Sequence, residues 1–277
     1  MSFVTSLSGL KAAQTDLAVI SNNIANTSSV GFKQSRATFG DLFAAAPTQS
    51  TRSVAGQGVR LNAITQQFSQ GSLESTDRSL DLAIAGDGFF IVKSQPPGET
   101  QSYTRNGAFA VNVDREVVDS VGNKVQLLPV DQATGEVTST AQADLLDFAL
   151  PETDPGDPTS VLSNITIADD GIVTATFSNG NQLLLGSLAM ASFAAIEGLR
   201  PIGDSHWQAT GDSGTALIGR AGNGPLGTVR SGTLESANVD LTEQLVAMIA
   251  AQRNFQANAQ AIETANTLTQ TIVNLQV

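Results

Sequence analysis

The sequence predicts an α+β protein in which two long helices, one at each end of the chain, pair as a coiled coil around an inserted, mainly antiparallel β-rich body. Three observations support this fold class. Apolar residues recur at helical spacing at both ends of the chain, the middle alternates with period two, and both ends contain few charged residues.

The C-terminal helix is predicted over residues 240–277, which contain neither proline nor glycine. At ~1.5 Å per residue this helix is about 55 Å long, well beyond an ordinary globular helix. Asp240, followed three residues later by Glu243, matches a capping box at the helix start. Its apolar stripe comprises Leu241, Leu245, Met248, Phe255, Ala259, Ile262, Ala265, Leu268, Ile272 and Leu275.

This predicted helix is poor in charge. Of its 38 residues, 22 are Ala, Thr, Asn or Gln and only four are charged. A helix that faces water usually carries Glu–Lys pairs on its outer side, whereas small neutral side chains suit a helix touched by neighbours on several sides. The simpler alternative, a long helix lying on its own domain, stays open at this point.

The N-terminal residues 3–26 have the same character. Apolar residues recur at intervals of three and four or their sums, and the stripe is broadened by Ala13 and Ile20. Pairing of the two ends as a coiled coil would place Gln14, Gln252 and Asn266 in the seam, where polar residues fix the register at a cost in stability. One such pair would leave much apolar and amide surface uncovered, which suggests that many copies bundle their termini together. The stripe is formed by Phe3, Leu7, Leu10, Leu17, Ile20 and Ile24.

Between the helices we predict a connecting segment over residues 31–58 and a β-rich outer domain over residues 59–239. The terminal helical domain is then 1–30 with 240–277. Residues 129–160, rich in proline and acids, are predicted to form a loop or small excursion. Asn179-Gly180 is the strongest hairpin signal. Candidate strands include residues 59–68, 79–85, 88–93, 102–113, 161–167 and the two runs that flank Asn179-Gly180.

Composition excludes several functions. The formal net charge is −12, which argues against nucleic acid and anionic membrane surfaces as partners. Without cysteine there is no disulfide framework and no thiol nucleophile. No apolar run approaches the ~20 residues of a membrane span. The N-terminus also lacks the pattern of a secretory signal, so we expect any export to proceed without a cleaved leader.

No catalytic, cofactor or metal site is predicted, and the chain is not expected to be an enzyme. The single histidine, His206, has no G-x-S-x-G partner motif and is expected to be a surface or packed residue. The Gly-rich run 85–90 lacks the Gly-Lys-Ser/Thr of a phosphate-binding loop. Two other classes stay open, namely a β-rich enzyme with a helical stalk and a secreted adhesin or effector with coiled-coil ends.

Several motifs resemble those of the bacterial flagellar axial proteins, the rod and hook family, and most closely its hook proteins. The N-terminal SGLKAAQTDLAVISNNIANTSSVGFKQSRATF is similar to the family signature, in which a helix ends in N-N-I-A-N before G-F-K. QFSQGSLESTDRSLDLAIAGDGFFIV and YTRNGAFAVNVDREVVDSVGNKVQ resemble its central β motifs. The run from GTLESANVD to the end resembles its last helix.

The resemblance implies a subunit of a hollow helical tube lined by the paired terminal helices, in the hook or basal body. It implies export through the flagellar type III apparatus, and partners among the other axial proteins (rod, hook–filament junction and hook cap). The assembled hook would act as a universal joint that transmits torque. A large outer domain of many hook proteins is absent here, so a rod subunit is the alternative. The tube-lining role extends to Asn22, Asn23 and Asn26.

Overall fold

The computed structural model describes residues 2–43, 56–95 and 100–274, excepting the side chains of Ser2 and Val273. They fold into two compact units. The helical unit comprises the described parts of residues 1–27, 33–67 and 239–277, and the β body comprises residues 28–32 and 68–238. The two helices of the helical unit are α1 Ser2–Ala25 and α2 Leu241–Asn274. The described strands are β1 Ser35–Phe43, β2 Gly56–Gln66, β3 Leu73–Ser75, β4 Leu82–Ala85, β5 Phe89–Lys93, β6 Gln101–Thr104, β7 Ala110–Val111, β8 Val117–Val118, β9 Lys124–Leu128, β10 Leu146–Asp147, β11 Thr153–Asp154, β12 Asp157–Ile167, β13 Ile172–Phe177, β14 Gln182–Leu188, β15 Met190–Ser192, β16 Arg200–Gly203, β17 His206–Gln208, β18 Leu217–Gly219, β19 Thr228–Ser231 and β20 Thr233–Glu235.

The two helices pack side by side in opposite directions. Near the start of α1, Gly9 lies so close to Asn258 that an added Cβ would come within 2.6 Å of the asparagine Oδ1. Near the end of α1, the Asn23 side-chain amide donates a hydrogen bond to Gln244 Oε1 at 3.2 Å. Contacts that run from one end of α1 to the opposite end of α2 define an antiparallel pair. Supercoiling of this pair as a coiled coil stays a prediction.

Asp240 caps the start of α2 as the sequence predicts, but the Glu243 side chain does not complete the predicted capping box. Asp240 Oδ1 accepts the backbone N–H groups of Thr242 and Glu243 at 2.7 and 3.1 Å. At the other helix, α1 ends at Ala25, six residues before Gly31, a residue type that often terminates helices. Gly31 instead takes a left-handed φ of 67° inside the β body, where a Cβ would lie 2.6 Å from the backbone nitrogen of Asn106.

Strands β1 and β2 form an antiparallel hairpin that packs on α1 within the helical unit. Val59 donates its backbone N–H to Ser8 Oγ at 3.2 Å. Strand β2 pairs with β1 and crosses the predicted boundary between the connecting segment, residues 31–58, and a β-rich domain that begins at residue 59. The residues around Phe39 do not alternate regularly between apolar and polar, because a register shift after Thr38 interrupts the period of two. The sequence therefore does not predict strand β1. Residues 44–55 lie outside the described part of the chain.

The β body is built around a fourteen-stranded sheet in the described residues, whose central path runs β11-β12-β13-β14-β9-β5-β6-β17-β16 with antiparallel pairings. Successive residues of β5 point to opposite faces. Phe89 and Ile91 therefore join one apolar cluster with Trp207, while Phe90 and Val92 join the other. The Asn179-Gly180 turn joins β13 to β14 as predicted, with Gly180 at a φ of 85°.

The segment 129–160 is more than the predicted loop or excursion. It contributes β10, β11 and the start of β12, and Phe148 is fully buried in the core. The backbone carbonyl of Phe148 accepts the N–H of Val117 at 2.8 Å, and its N–H donates to the carbonyl of Val125 at 2.8 Å. The prolines and most of the acids of this segment lie at its turns or surface, although Asp154 is buried. This composition obscured Phe148, the single aromatic residue that anchors the segment.

Candidate assembly surface

The candidate functional surface lies on α1 and α2, because all seventeen interface residues predicted from the sequence fall in or beside these helices. The face of α2 that meets α1 follows the 3–4 spacing of a helical seam. Gln244 and Ala251 are buried there, and Met248, Phe255 and Ile262 are half-buried. These three predicted interface residues already pack within a single chain.

The predicted residues of α1 divide in the same way. Ile20 and Asn23 are buried, together with Ala13 and Val19. Asn22 is exposed. Half-buried positions leave part of each side chain free for another copy, so their role between subunits stays a prediction. The half-buried members of the predicted set are Leu7, Leu10, Leu17, Ile24 and Asn26.

The polar residues of the seam differ from the predicted ones. Gln14, Gln252 and Asn266 are all exposed, so their predicted place in the seam is wrong. Asn23 and Gln244 occupy it instead, and Asn23 also exchanges two hydrogen bonds of 2.9 Å with the backbone of Ser35. The seam keeps the predicted large residues Met248, Phe255 and Ile262 of α2, but between them it contains small and amide side chains, because Gly9 lets the helices approach closely.

The outward face of α2 exposes large apolar side chains that a single chain leaves uncovered. The predicted interface includes Leu241 and Leu245 but not Val246 and Ile249, which are 63% and 51% exposed. Val246 and Ile249 are three residues apart, which is a helical spacing that could have identified them. They lie outside the heptad stripe, however, and the interface was predicted from that stripe. We call the surface formed by Val246, Ile249 and Arg253 the outward face of α2; Arg253 follows Ile249 by four residues.

The last turns of α2 have no described partner within the chain. The register set by Gly9 with Asn258 and Asn23 with Gln244 brings the start of α1 level with Ala265. Beyond that level the predicted interface residues are exposed, at 60% for Leu268 and 59% for Ile272. Leu275, the last predicted interface residue, lies outside the described residues. Phe3 and Val4, at the start of α1 and therefore at the same end of the pair, are likewise exposed.

The charged side chains of the two helices are few and unpaired. Within the described residues, Lys11, Asp16, Glu243 and Arg253 make no ion pair. Burial raises the pKa of the Asp16 carboxyl, because its charged form loses hydration without gaining a cation. The surface of these helices is thus apolar and amide-rich, with isolated charges.

The only histidine of the sequence is packed in the β body. His206 Nε2 lies 2.6 Å from Asp119 Oδ2, and Nδ1 lies 2.8 Å from the carbonyl oxygen of Asp204. Both ring nitrogens face acceptors, which favours the doubly protonated ring. Burial alone would lower the pKa of His206, but its hydrogen bond to Asp119 and the charge of that carboxylate outweigh burial and raise it. This pair holds β17 against the turn between β8 and β9.

Within residues 2–43, 56–95 and 100–274, no group of three or more histidine, aspartate or glutamate side chains is arranged to hold a metal ion. In the same residues, neither α1 nor α2 has the length and hydropathy required of a helix that crosses a bilayer.

Three protein-family profiles match the chain in order. The "Flagella basal body rod protein" profile matches residues 3–33, which include α1. The "Flagellar hook protein FlgE/F/G D1 domain" profile matches residues 83–175 of the β body. The "Flagellar basal body rod FlgEFG protein C-terminal" profile matches residues 230–275, which include α2.

Full-length relatives include both hook and rod proteins. The flagellar hook protein FlgE of Escherichia coli is 29% identical, with 99% of this chain and 100% of that protein covered. The flagellar basal-body rod protein FlgG of Bacillus subtilis is 34% identical over 99% and 98% of the two chains. FlgG of Borreliella burgdorferi is 33% identical over 95% and 94%. The crystal structure of Helicobacter pylori FlgE2 matches at 16% identity over 65% of this chain and 44% of that chain, with a TM-score of 0.25.

Proposed function

We propose that this chain, which belongs to the family of flagellar hook and basal-body rod proteins, polymerises with copies of itself into the hook of a bacterial flagellum. The family consists of structural proteins, so the chain is an axial structural subunit and not an enzyme. The adhesin alternative finds no support among its relatives.

The observation that carries self-assembly is the exposed apolar surface of α2. Single exposed apolar residues are normal on proteins, but several on one nearly uncharged helix are typical of an interface. Val246, Ile249, Leu268 and Ile272 are each more than half exposed. Burying side chains of this size contributes about 1.5–3 kcal/mol each, which is enough to stabilise a polymer with many repeated contacts.

The character of the helix contacts favours a hook over a rigid shaft. A joint that bends while it rotates needs contacts that slide or rearrange, and fixed buried ion pairs resist such movement. The described seam between α1 and α2 contains small and amide side chains, among them Gly9, Ala251 and Asn23, and no ion pair. A surface of the same character between copies would be deformable.

A rod subunit is the second candidate, and chain length favours it. The alignment with B. subtilis FlgG spans 285 positions for a chain of 277 residues. The alignment with E. coli FlgE spans 414 positions, so the hook relative contains a long stretch that this chain lacks. A hook built from this chain would have a smaller outer layer.

Immunogold labelling of purified, intact flagella with antibodies against the β body distinguishes the two. The hook proposal predicts label on the curved segment outside the cell envelope, and a deletion strain that retains rods but lacks hooks. Label confined to the rod segment, with rods missing in the deletion strain, would select the second candidate.

We also propose that the subunit leaves the cell through the flagellar type III apparatus without cleavage of a leader, and that it contacts the rod, junction and cap proteins of the same axis. Membership of the family supports this route. N-terminal sequencing of the assembled subunit should begin at Met1 or Ser2. A subunit that begins further along, or export that persists after loss of the apparatus, would exclude this route.

A further inference from the structure

A groove of about 430 Å³ lies within the helical unit, between α1, the start of α2 and strand β1. Two carboxylates, Asp16 and Glu243, contribute to its walls, and Arg36 is its one cation. The apolar part of the lining includes Ile20 and Phe39. The groove is therefore mainly polar, with two carboxylates against one cation and a smaller apolar part, and it is formed by residues of α1, α2 and the hairpin.

The carboxylates of this groove lack cationic partners. Asp16 is half-buried and Glu243 is exposed, and neither makes an ion pair with Arg36 or any other described residue. The neighbouring amides of Asn23 and Gln244 bond to each other, so they do not compensate Asp16. A half-buried carboxylate without a counter-charge loses hydration without recovering it. A cation delivered into the groove would offset that loss.

The outward face of α2 presents such a cation. Arg253 is exposed and makes no ion pair with a described residue. It follows the buried Ala251 by two residues, which places it roughly 200° around the helix and away from α1. Val246 and Ile249, at spacings of seven and four residues from Arg253, lie on the same face and are also exposed.

We propose that the outward face of α2 in one copy docks into this groove of a second copy, with Arg253 placed between Asp16 and Glu243. Val246 and Ile249 then cover the apolar part of the groove around Ile20 and Phe39. This inference rests on the proposed self-assembly and names the surfaces that perform it. Because the two surfaces differ, the contact is heterologous, and a heterologous contact that does not close into a ring repeats into an open helical polymer.

An ion pair at this place is compatible with a joint that bends. We place the Glu243–Arg253 pair at the rim of the contact, because Glu243 is the exposed one of the two groove carboxylates and water there can replace either partner. A rim pair selects the partner surface and the register more than it adds affinity. It can therefore break and form again as neighbouring subunits shift.

Disulfide trapping tests the contact directly, because the chain has no cysteine of its own. In a variant with both Glu243→Cys and Arg253→Cys, the two cysteines lie ten residues apart on one helix, about 15 Å, beyond the ~7 Å that a disulfide can bridge. Any disulfide must therefore join two copies. A control variant combines Glu243→Cys with Glu263→Cys.

The proposal predicts that oxidation of the assembled Glu243→Cys/Arg253→Cys variant produces a ladder of covalent oligomers on a denaturing gel, while dilute monomer and the control variant give none. Polymers that form without the ladder would overturn the contact while leaving the proposed function intact. A wild-type chain that never polymerises would overturn the proposed function, and this contact with it.

Charge reversal gives an independent test that does not depend on cysteine chemistry. Arg253→Glu places a third carboxylate in the groove, where like charges brought together oppose the contact. We expect the critical concentration for polymerisation to rise about tenfold or more. Adding Glu243→Arg to this variant should bring the critical concentration back to within about threefold of wild type.

The matched control is Lys11→Glu, which makes the same charge change at the exposed cation of α1. It should move the critical concentration less than about threefold, because Lys11 lies outside the proposed contact. An Arg253→Glu variant that assembles like wild type, or a double variant that recovers nothing, would overturn the proposal.

Discussion

The β body and the helical unit handle their polar and apolar groups in different ways. In the body, charged residues are buried as pairs: Arg105 lies 3.3 Å from Glu235, and both side chains are almost fully covered. Glu235 also accepts the backbone N–H of Gly71 at 2.8 Å. In the helical unit, no described residue of α1 or α2 forms an ion pair, and large apolar side chains face outward.

The aromatic residues are distributed just as unevenly. Phe68, Phe89 and Trp207 form a mutually packed cluster in the body, with ring centroids 5.4–5.6 Å apart. The helical unit instead has Phe3 and Phe43 exposed. The body also exposes scattered apolar residues, among them Val113 and Leu217, but its two apolar clusters are packed within the single chain. The helical unit instead exposes large apolar residues along α2, and we expect another subunit to cover them.

The largest expected effect separates these two regions outright. A chain that lacks residues 245–277 should keep a cooperatively folded β body, because both apolar clusters of the body lie within residues 68–238. It should lose all polymerisation, since the outward face of α2 is gone. Circular dichroism melting and electron microscopy measure the two properties. Tubes formed by the truncated chain would contradict the comparison.

Trp207→Ala should destabilise the body by about 3–5 kcal/mol, because it leaves a cavity in a cluster where Trp207 is 2% exposed. Denaturant unfolding of the body gives the change. The matched control, Ile202→Ala on the neighbouring strand β16, removes an exposed side chain and should change the free energy of unfolding by less than about 0.5 kcal/mol. Equal losses in both variants would mean that Trp207 is not part of a close-packed core.

The His206–Asp119 pair should make the stability of the body depend on pH in two windows. The pKa of His206 is raised above its ordinary 6.5, so its contribution is full below pH 6.5 and is lost as pH rises through the raised value. Burial would raise the pKa of Asp119, but hydrogen bonds from His206 and Asn123 lower it below 3.8. Its contribution is full above pH 3.8 and is lost as pH falls through the lowered value.

Urea unfolding of the body between about pH 6 and pH 9, compared with the variant His206→Gln, isolates the histidine contribution. We expect wild-type stability to fall more steeply with rising pH than that of the variant. Parallel curves for the two proteins would mean that His206 has the same pKa folded and unfolded.

The smallest expected change in monomer stability accompanies a change in assembly. Ile249→Ser replaces an exposed side chain, so the free energy of unfolding should change by less than about 0.5 kcal/mol. Polymerisation should weaken, because the outward face loses apolar area. Val161→Ser, at an exposed position of β12, is the matched control and should leave assembly unchanged. A similar effect of both variants on the critical concentration would remove the distinction between body and helices.

The sequence predicted the elements that depend on local chemistry. The long helix after Asp240 and the turn at Asn179-Gly180 were predictable because capping and left-handed φ values leave clear residue patterns. The helical period also identified both helices, but it could not select the seam, because alanine, glycine and amide residues carry almost no hydropathy signal. Asn23 and Gln244 were therefore missed as seam partners, and Val246 and Ile249 as exposed apolar residues.

Long-range pairing accounts for the remaining differences. Strand β1 joins β2 across residues 44–55, and Phe148 enters a core formed by strands far away in sequence. Neither fact leaves a local pattern, since both depend on what the rest of the chain provides. The seventeen interface residues share this limit, because the surface of a subunit reveals which side chains are free but not which of them another copy covers.

Hydrogen exchange, measured in dilute monomer and in assembled polymer, is the sharpest test of whether other subunits cover α1 and α2. It reports the protection of each helix separately. We expect rapid exchange in the monomer for residues 266–274, the part of α2 that extends beyond α1, and strong protection of the same amides after assembly. The amides of the β body should exchange equally slowly in both states. Full protection of α1 and α2 in a monomer that does not self-associate would mean that the two helices need no other subunit to cover them.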